Sequence, residues 1–188
     1  MDIDLDRISF EIDWPIIARI KDDLFPYEGY DHVRYTARAL LENQNGDFGF
    51  LHIVGEDFFG VRDHLETCGG GLEENEDLVT CMMREVKEET GMTVKKMRLV
   101  GSVVDSYNKI NRITLSTFFH CLVDDREISD MKRTEEEQIL IKELVWLKPE
   151  EALDRLNNGW TSDVDLIVQR RDAAALEYYL ENKDKTSE

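Results

Sequence analysis

The segment between residues 70 and 92 constrains this chain more than any other, because it combines a helical pattern with a cluster of glutamates. Asp77, or Asn75 before it, can cap the start of a helix, and Gly91 stands where a left-handed residue would end it. Apolar residues between these limits recur at i, i+3, i+4 and i+7, a period that predicts a helix with one packed side. These apolar residues are Val79, Met82, Met83 and Val86.

Three acidic residues of the same helix, Glu85, Glu88 and Glu89, follow at i, i+3 and i+4 and therefore share one helical face. We expect that face to lie opposite the apolar residues. Like charges at this spacing repel, and the helix macrodipole disfavours acids in the last turn, so the cluster needs a counter-charge. Mg²⁺ or Mn²⁺ would supply it, since both prefer hard oxygen ligands. The alternative is a solvated acidic surface that binds nothing.

The wider spacing is more specific than the acidic cluster. From Gly70 to Met92 the chain follows G-x5-E-x7-R-E-U-x-E-E-x-G-U, where U is a bulky apolar residue, and every fixed position is filled. The segment resembles the Nudix box, the motif that defines the Nudix hydrolases, or MutT-like proteins. Residues 64–70 also resemble the family's W-E-L-P-G-G lead-in, with Leu65 in place of the aromatic residue and Cys68 in place of the proline.

The resemblance implies an α/β fold, specifically an α/β/α sandwich built on a mixed β-sheet. It also implies a metal-dependent hydrolase that cleaves the pyrophosphate linkage of a nucleoside diphosphate derivative or of a nucleoside triphosphate. Arg84 corresponds to a catalytic residue that orients a box carboxylate, and Glu76 is similar to its acidic partner. By position, the expected ligands of Mg²⁺, or of Mn²⁺ in its place, are the carbonyl of Gly70 and the carboxylates of Glu85, Glu88 and Glu89.

Functional residues outside the box are harder to assign. Some related enzymes take a general base from outside the box. Three neighbouring glutamates are candidates for this base, and the sequence does not choose among them. We name Glu137 as the expected catalytic residue. The candidates, in a polar stretch before the last predicted strand, are Glu135, Glu136 and Glu137. The residues expected to bind substrate are Arg62, Tyr107 and Arg112. For each of these, the alternative is an ordinary surface charge or a packed aromatic ring.

Composition limits the partners of the chain. Its 188 residues include 41 Asp and Glu against 23 Lys and Arg, a formal net charge of −18. Non-specific nucleic-acid binding depends on cations that neutralise phosphates, so a large nucleic-acid partner is disfavoured. A small-molecule nucleotide must arrive with its metal or meet a local basic pocket. The three cysteines form no C-x-x-C pair, which argues against a disulfide framework and against structural zinc.

The ends and the hydropathy of the chain bear on its location. No apolar run approaches the ~20 residues of a membrane span. The acidic N-terminus is not typical of a signal peptide, which begins with basic residues. We therefore expect a cytoplasmic protein with no membrane partner, and a homodimer is an open possibility.

The rest of the chain predicts one Nudix domain, residues 31–157, with a flanking segment at each end. Residues 1–30 are expected to form an N-terminal extension that packs on the core, with a short strand before a helix that starts at Asp13 and continues to Leu24. Residues 158–188 are expected to be a C-terminal helix and tail of the same domain. Strands are predicted over 33–41, 48–54, 96–105, 112–123 and 139–147, with a hairpin turn at Asn45-Gly46 and a loop over 124–137. Residues 61–67 are expected to form the approach to the glycine loop.

Two other function classes remain open at this stage. A ligand-binding or regulatory module can keep the fold without turnover, but such modules usually lose box carboxylates, and none is lost here. A prenyl diphosphate isomerase on a similar fold needs a catalytic cysteine in a distinct motif, which Cys121 does not have. The subfamily is not identifiable, since the downstream markers of known subfamilies are not found.

Overall fold

The computed structural model describes residues 5–159 and 162–184 of the chain. A single 3-10 turn at Leu5–Arg7 comes first. The strands are β1 (Ile16–Ile20), β2 (His32–Glu42), β3 (Phe48–Asp57), β4 (Gly60–Glu66), β5 (Cys68–Gly71), β6 (Val94–Tyr107), β7 (Arg112–Val123) and β8 (Ile141–Leu147). The helices are α1 (Leu78–Thr90), α2 (Glu135–Leu140), α3 (Pro149–Asn158) and α4 (Asp163–Asn182).

The strands form one mixed sheet in the order β1-β6-β7-β2-β3-β4, with β5 beside β2 and β8 beside β3. The pairs β1–β6 and β2–β7 are parallel, and β6–β7 is antiparallel. Successive side chains of a strand point to opposite faces. Leu41 of β2 therefore joins Met82 of α1 in one core, whereas its neighbour Leu40 joins Leu176 of α4 in another. The expected α/β/α sandwich on a mixed sheet is confirmed.

Strand β2 has two different partners along one of its edges. Its end pairs with β3 only through Leu41–Gly49 and Glu42–Phe48, next to a turn in which Gly46 has φ +81°. Beyond these pairs β3 diverges to β4 and β8, and β5 takes its place beside residues 36–39 of β2. The turn lies where the sequence predicts, but the hairpin is short because the glycine-rich strand β5 occupies the rest of the edge.

The helix predicted from Asp13 to Leu24 is wrong. Residues 16–20 form strand β1, which pairs with β6 in parallel from Ile16–Ser102 to Ile20–Asp105. The indole N–H of Trp14 donates to Ser102 Oγ at 2.7 Å, which fixes the start of the strand. β-Branched isoleucines suit a strand as well as a helical stripe, and the open edge of β6 decides between the two. No strand occurs over residues 5–12, where the sequence predicted one, and Ile3 lies outside the described residues.

The loop predicted over residues 124–137 is also wrong at its end, where α2 begins. Thr134 caps this helix: its hydroxyl accepts from the Glu137 N–H at 3.3 Å, and the Glu137 carboxylate accepts from the Thr134 N–H at 2.7 Å. This reciprocal pair is a capping box, for which the spacing Thr-x-x-Glu was a readable signal. Strand β8 consequently starts at Ile141 rather than at residue 139.

The N-terminal segment is packed on the sheet. Leu5 is buried in a small core with Val104 of β6 and with Ile113 and Leu115 of β7. The Arg19 guanidinium donates to the carbonyl of Leu5 at 2.7 Å, which ties this segment to β1. The domain limits at residues 30 and 157 stay predictions. Over residues 5–159 and 162–184, no helix combines the length and the apolar character that crossing a lipid bilayer requires.

A matched pair of glycine substitutions tests the packing of β5. Gly69 has φ +141°, and a Cβ there would overlap the backbone carbonyl of Ala37 in β2. We expect Gly69→Ala to lower the free energy of unfolding by about 3 kcal/mol or more, since backbone strain and overpacking add. Gly60 has φ +120° but open space around it, so Gly60→Ala should cost only about 1 kcal/mol. Urea denaturation measures both, and equal losses would contradict the close approach.

Candidate active site

Helix α1 begins and ends where the sequence predicts. Asp77 accepts from the Thr80 N–H at 2.9 Å, and Gly91 ends the helix with φ +73°. Two expectations about its faces are wrong. Met83 is 44 % exposed and does not belong to the packed side, whereas Glu85 and Glu89 are only 7 % and 6 % exposed. Because the helix rests on the glycines of β5, which have no side chains, Glu85 and Glu89 are buried on the packed side of the helix and not opposite it.

Glu85 and Glu89 meet a third carboxylate that comes from outside the helix. One oxygen atom from each of Glu85, Glu89 and Glu137 lies within 4.8 Å of the others, and we call these residues the carboxylate trio. Of the three candidate bases, Glu137 joins the trio, Glu136 lines the neighbouring cavity, and Glu135 is exposed. Glu88 stands outside the trio, where its carboxylate accepts a hydrogen bond from Arg84 at 3.2 Å.

Burial makes the carboxylate trio hard to ionise. The pKa of Glu89 is raised to about 8, chiefly by burial, although hydrogen bonds from the Cys68 thiol and the Gly69 N–H oppose the rise. Burial also raises the pKa of Glu85, against the opposing effect of Arg84, and the charges of Glu137 and Glu88 add to it. Like charges that share a buried site need a cation. Hard oxygen donors of this kind suit a divalent ion such as Mg²⁺.

Arg84 holds three carboxylates of the predicted motif in place. Its Nε and Nη2 atoms donate to the two oxygens of Glu76 at 2.8 and 2.9 Å, a bidentate pair that lowers the pKa of Glu76 to about 2. Its Nη1 atom donates to Glu85 at 2.9 Å and to Glu88 at 3.2 Å. The side chain is therefore placed to fix the orientation of Glu85, one member of the carboxylate trio.

Gly70 faces Glu85 directly. A Cβ at residue 70 would overlap the Glu85 carboxylate, so only glycine lets this acid reach its position. The carbonyl of Gly70 accepts from the Cys81 thiol at 3.6 Å, and the carbonyl of Gly71 accepts from Arg84 at 3.2 Å. The expected role of the Gly70 carbonyl as a metal ligand stays a prediction.

The C-terminal end of α1 is tied to the segment that carries Glu137. The Arg133 guanidinium donates twice to the carbonyl of Glu89, at 2.9 and 2.7 Å, and the Lys132 N–H donates to the carbonyl of Glu88 at 2.9 Å. These bonds satisfy carbonyls that a helix end leaves unpaired, and a cation there favours the helix macrodipole. Arg133 thereby places Glu137 beside Glu85 and Glu89, a role that the sequence analysis missed.

The three predicted substrate-binding residues lie together. Arg62, Tyr107 and Arg112 line a cavity of about 190 Å³ between the sheet and α4. A second cavity of about 190 Å³ borders the trio, and Arg62 and Glu66 line both cavities, so the two adjoin. We call the first one the arginine pocket, because five arginines line it. They are Arg34, Arg38, Arg62, Arg112 and Arg171.

Buried ion pairs fix the wall of the arginine pocket to α4. Asp165 of α4 accepts from Arg62 Nε at 2.7 Å and lies 2.8 Å from His64 Nδ1. Burial alone would lower the pKa of His64, but Asp165 and Glu66 raise it above its ordinary value. Asp172 of the same helix accepts from the Thr67 N–H at 2.7 Å. His64 is thus a structural partner of two acids.

Further residues of the arginine pocket were missed by sequence reasoning, although a signal for them exists. Arg34 and Arg38 share one face of β2 at i and i+4, and Arg38 lies in the stretch 36–41, which is buried on both faces. On α4, Asp165, Arg171 and Asp172 are buried among apolar residues, which marks charges that need partners. In both cases the signal in the sequence is a charged residue at a position that the surrounding pattern predicts to be apolar.

The comparisons with known proteins agree with this geometry. A sequence profile of the NUDIX domain matches residues 33–167, most of the chain. The chain belongs to the Nudix family. It is therefore a Nudix-type pyrophosphohydrolase, acting on phosphoanhydride bonds. Nudix hydrolases generally use divalent metals, and the carboxylate trio is a cluster suited to them.

Solved structures share the Nudix fold of this chain. A MutT protein from Methanosarcina mazei Go1 is similar with a TM-score of 0.60 and 20% identity, over 84% of this chain and 99% of that one. A NUDIX hydrolase from Nitrosomonas europaea is similar with a TM-score of 0.58 and 21% identity, over 81% of this chain and 91% of that one. A comparison with curated protein sequences finds no match.

Removing the charge of Glu89 tests its burial in the metal-free Nudix protein. The unfolded chain releases this proton near the ordinary pKa of 4.5, whereas the folded chain keeps it to about pH 8, so raising the pH between these values favours unfolding. Glu89→Gln should match the wild type near pH 4.5 and become increasingly more stable towards pH 8, by at most ~1.4 kcal/mol per pH unit. Urea denaturation with a chelator present measures the difference, and a constant difference over this range would contradict the buried acid.

A substitution at Arg133, which leaves Glu137 itself unchanged, tests whether Arg133 holds Glu137 at the carboxylate trio. Arg133→Gln loses two charge-assisted hydrogen bonds, so we expect about 1–3 kcal/mol less stability. With Glu137 no longer held at the trio, kcat should fall more than KM rises. Lys132→Gln removes a neighbouring charge but keeps its backbone bond to Glu88, and should behave like the wild type. Full activity in Arg133→Gln, measured alongside urea denaturation, would show that Glu137 does not depend on this contact.

Proposed function

We propose that this Nudix hydrolase cleaves the pyrophosphate linkage of a nucleoside diphosphate derivative or of a nucleoside triphosphate, with Mg²⁺ as its cofactor. The observation that carries the proposal is the convergence of Glu85, Glu89 and Glu137 to within 4.8 Å, beside a cavity that adjoins the arginine pocket. Acids in this arrangement suit a divalent cation, and arginines suit the phosphates that the cation would share.

The residues present fit a magnesium or manganese ion. Glu85 and Glu89 are buried, have raised pKa values and lie close to a third acid, Glu137. A divalent ion would supply the positive charge that lets these carboxyl groups ionise. When bound, the ion contributes Lewis-acid polarisation of the phosphoanhydride and assists deprotonation of the attacking water. Glu85 and Glu89 would hold it, and Glu88 and the Gly70 carbonyl are the further ligands that the family pattern implies.

The other residues of the chain position these groups. Arg84 keeps Glu85 in one orientation by a hydrogen bond of 2.9 Å, and the Gly69 N–H holds Glu89 at 2.9 Å. We assign Glu137 the role of general base, because one of its oxygens faces the trio while its carboxylate also accepts from Thr134. Holding a base and a polarised phosphoanhydride in fixed geometry is worth much of the barrier in reactions of this kind.

The substrate would occupy the space that joins the two cavities. Arg62 lines both cavities, but it is already paired with Asp57 at 2.8 Å and with Asp165 at 2.7 Å. These two carboxylates neutralise part of the charge that Arg62 could offer a substrate. Tyr107 is only 7 % exposed and lies under Arg112, with 5.0 Å between guanidinium and ring centroid. A small-molecule nucleotide fits this groove better than a large nucleic acid. Three free, buried thiols favour the cytoplasmic location that the sequence predicts.

A panel of nucleoside triphosphates and nucleoside diphosphate derivatives, assayed for released phosphate and pyrophosphate with and without Mg²⁺, tests the proposal. We expect hydrolysis that requires the metal. Glu85→Gln, Glu89→Gln and Glu137→Gln should each lower kcat by more than the ~10–100-fold typical of changes outside the ligand shell. Glu135→Gln makes the same chemical change on the exposed side of α2 and should keep the activity of the wild type.

Two results would count against this function. A protein that binds nucleotides but releases no product with any metal would favour the regulatory module. Activity that survives Glu89→Gln would remove the carboxylate trio from the reaction. Melting in millimolar Mg²⁺ gives an independent check, since an ion that binds only the folded chain raises the melting temperature.

A further inference from the structure

Among the residues that the structure describes, three of the five arginines in the arginine pocket are matched by acids and two are not. Arg38 pairs with Glu66 at 2.7 Å, Arg171 pairs with Asp172 at 2.7 Å and with Glu66 at 3.2 Å, and Arg62 pairs with Asp57 and Asp165. Arg34 and Arg112 have no ion-pair partner within residues 5–159 and 162–184.

These two arginines are close neighbours on one face of the sheet. Arg34 of β2 is in register with Thr114 of β7, and Arg112 stands two residues before Thr114, so both side chains leave the sheet on the same side. Burial lowers the pKa of Arg112, and the charge of Arg34 lowers it further. The Arg34 guanidinium also lies over Gly71, at the end of the strand that supports the carboxylate trio.

Buried polar atoms around the arginine pocket also lack partners. Arg38 is 7 % exposed, yet its Nε atom has no hydrogen-bond partner within the described part of the chain. The same holds for Arg112 Nε and for Thr114 Oγ1. Buried donors are normally satisfied, so unpaired donors on Arg38 and Arg112, two residues that line the pocket, favour a ligand rich in acceptors.

The aromatic rings of the pocket argue against a nucleobase as that ligand. Arg112 covers the ring of Tyr107 at 5.0 Å from the centroid. Arg62 and Lys109 lie 5.9 and 5.6 Å from the centroid of Phe59. A cation thus already covers a face of each ring on which a base would otherwise stack. The groups left for a ligand are guanidinium N–H donors, whose geometry matches phosphate oxygens.

We propose that Arg34 and Arg112 bind a phosphate group of the substrate that lies beyond the scissile linkage. The enzyme therefore selects substrates with an additional phosphate. That the bound phosphate belongs to a substrate rests on the proposed function. Two kinds of substrate supply such a phosphate: a nucleoside triphosphate, through its terminal phosphate, and a dinucleotide with a phosphomonoester on one sugar. The arginine pocket is where this additional phosphate is recognised.

Binding without metal tests the site apart from catalysis. The full chain is titrated with inorganic pyrophosphate in excess chelator at constant ionic strength, and heat and melting temperature are recorded. The wild type should bind, and Arg34→Gln should weaken binding about tenfold or more, as expected for a lost charge-assisted hydrogen bond. Arg126→Gln removes an exposed arginine beyond the opposite end of β7 and should bind like the wild type. No binding by the wild type, or equal binding by all three proteins, overturns the proposal.

Kinetics with Mg²⁺ separate the two sources of phosphate. One substrate pair is a nucleoside triphosphate and its diphosphate, and the other is a pyridine dinucleotide with and without a 2′-phosphate. In one pair the wild type should prefer the phosphate-rich member by about tenfold in kcat/KM, and Arg34→Gln or Arg112→Gln should lose most of that preference through KM. Arg126→Gln should keep it. A preference that both substitutions leave unchanged, or no preference in either pair, contradicts the phosphate site.

The two proposals fail in different ways. If pyrophosphate binding is lost in Arg34→Gln but no substrate is hydrolysed with any metal, the phosphate site stands and the hydrolytic function falls. If substrates are hydrolysed but metal-free pyrophosphate binding is absent, the function stands and the phosphate site falls. Arg34 is exposed, so its substitution tests the site without loss of a buried side chain.

Discussion

The burial of two glutamates against a strand of glycines is the constraint on which the rest of the site depends. Glu85 can occupy its position because residue 70 has no side chain, and Glu89 is held by the backbone of Gly69. Acids in the last turn of a helix are unfavourable, and burial makes them more so. The surrounding structure offsets this cost with Arg84 on one side and Arg133 at the helix end. The geometry of the carboxylate trio and its cost in stability therefore have the same origin.

The sheet topology explains why the glycines are available to the helix. If β3 had continued as a full hairpin partner of β2, its side chains would have filled the position that β5 occupies. The divergence of β3 after two residue pairs leaves that edge to residues 68–71. The same edge brings Arg38 of β2 to Glu66 and Thr67 at the end of β4. One departure from regular hairpin pairing thus places the acids and part of the cationic wall.

The sequence predicted the box helix and the main strands because each depends on local periodicity or on spacing, and the resemblance to the Nudix box implied the sandwich. It failed at β1, where isoleucines suit two structures and the free edge of β6 decides. It failed at Met83 and at the buried acids, because a helical pattern shows which residues share a face but not what that face meets. Glu137, and not its neighbours, lies at the trio because Arg133 contacts Glu89, a residue 44 positions away in the sequence. A contact between such distant residues produces no periodic pattern that sequence analysis could detect.

Helix α4 gives the arginine pocket one of its arginines and is locked to the sheet by Asp165 and Asp172. The hydrolytic motif, in contrast, lies on the opposite side of the sheet, with α1. The proposed ion ligands of α1 and the proposed phosphate-binding arginines of β2 and β7 are thus encoded in separate stretches of the polypeptide. Substitution at those two arginines would be a route by which new specificities arise while the box helix stays unchanged.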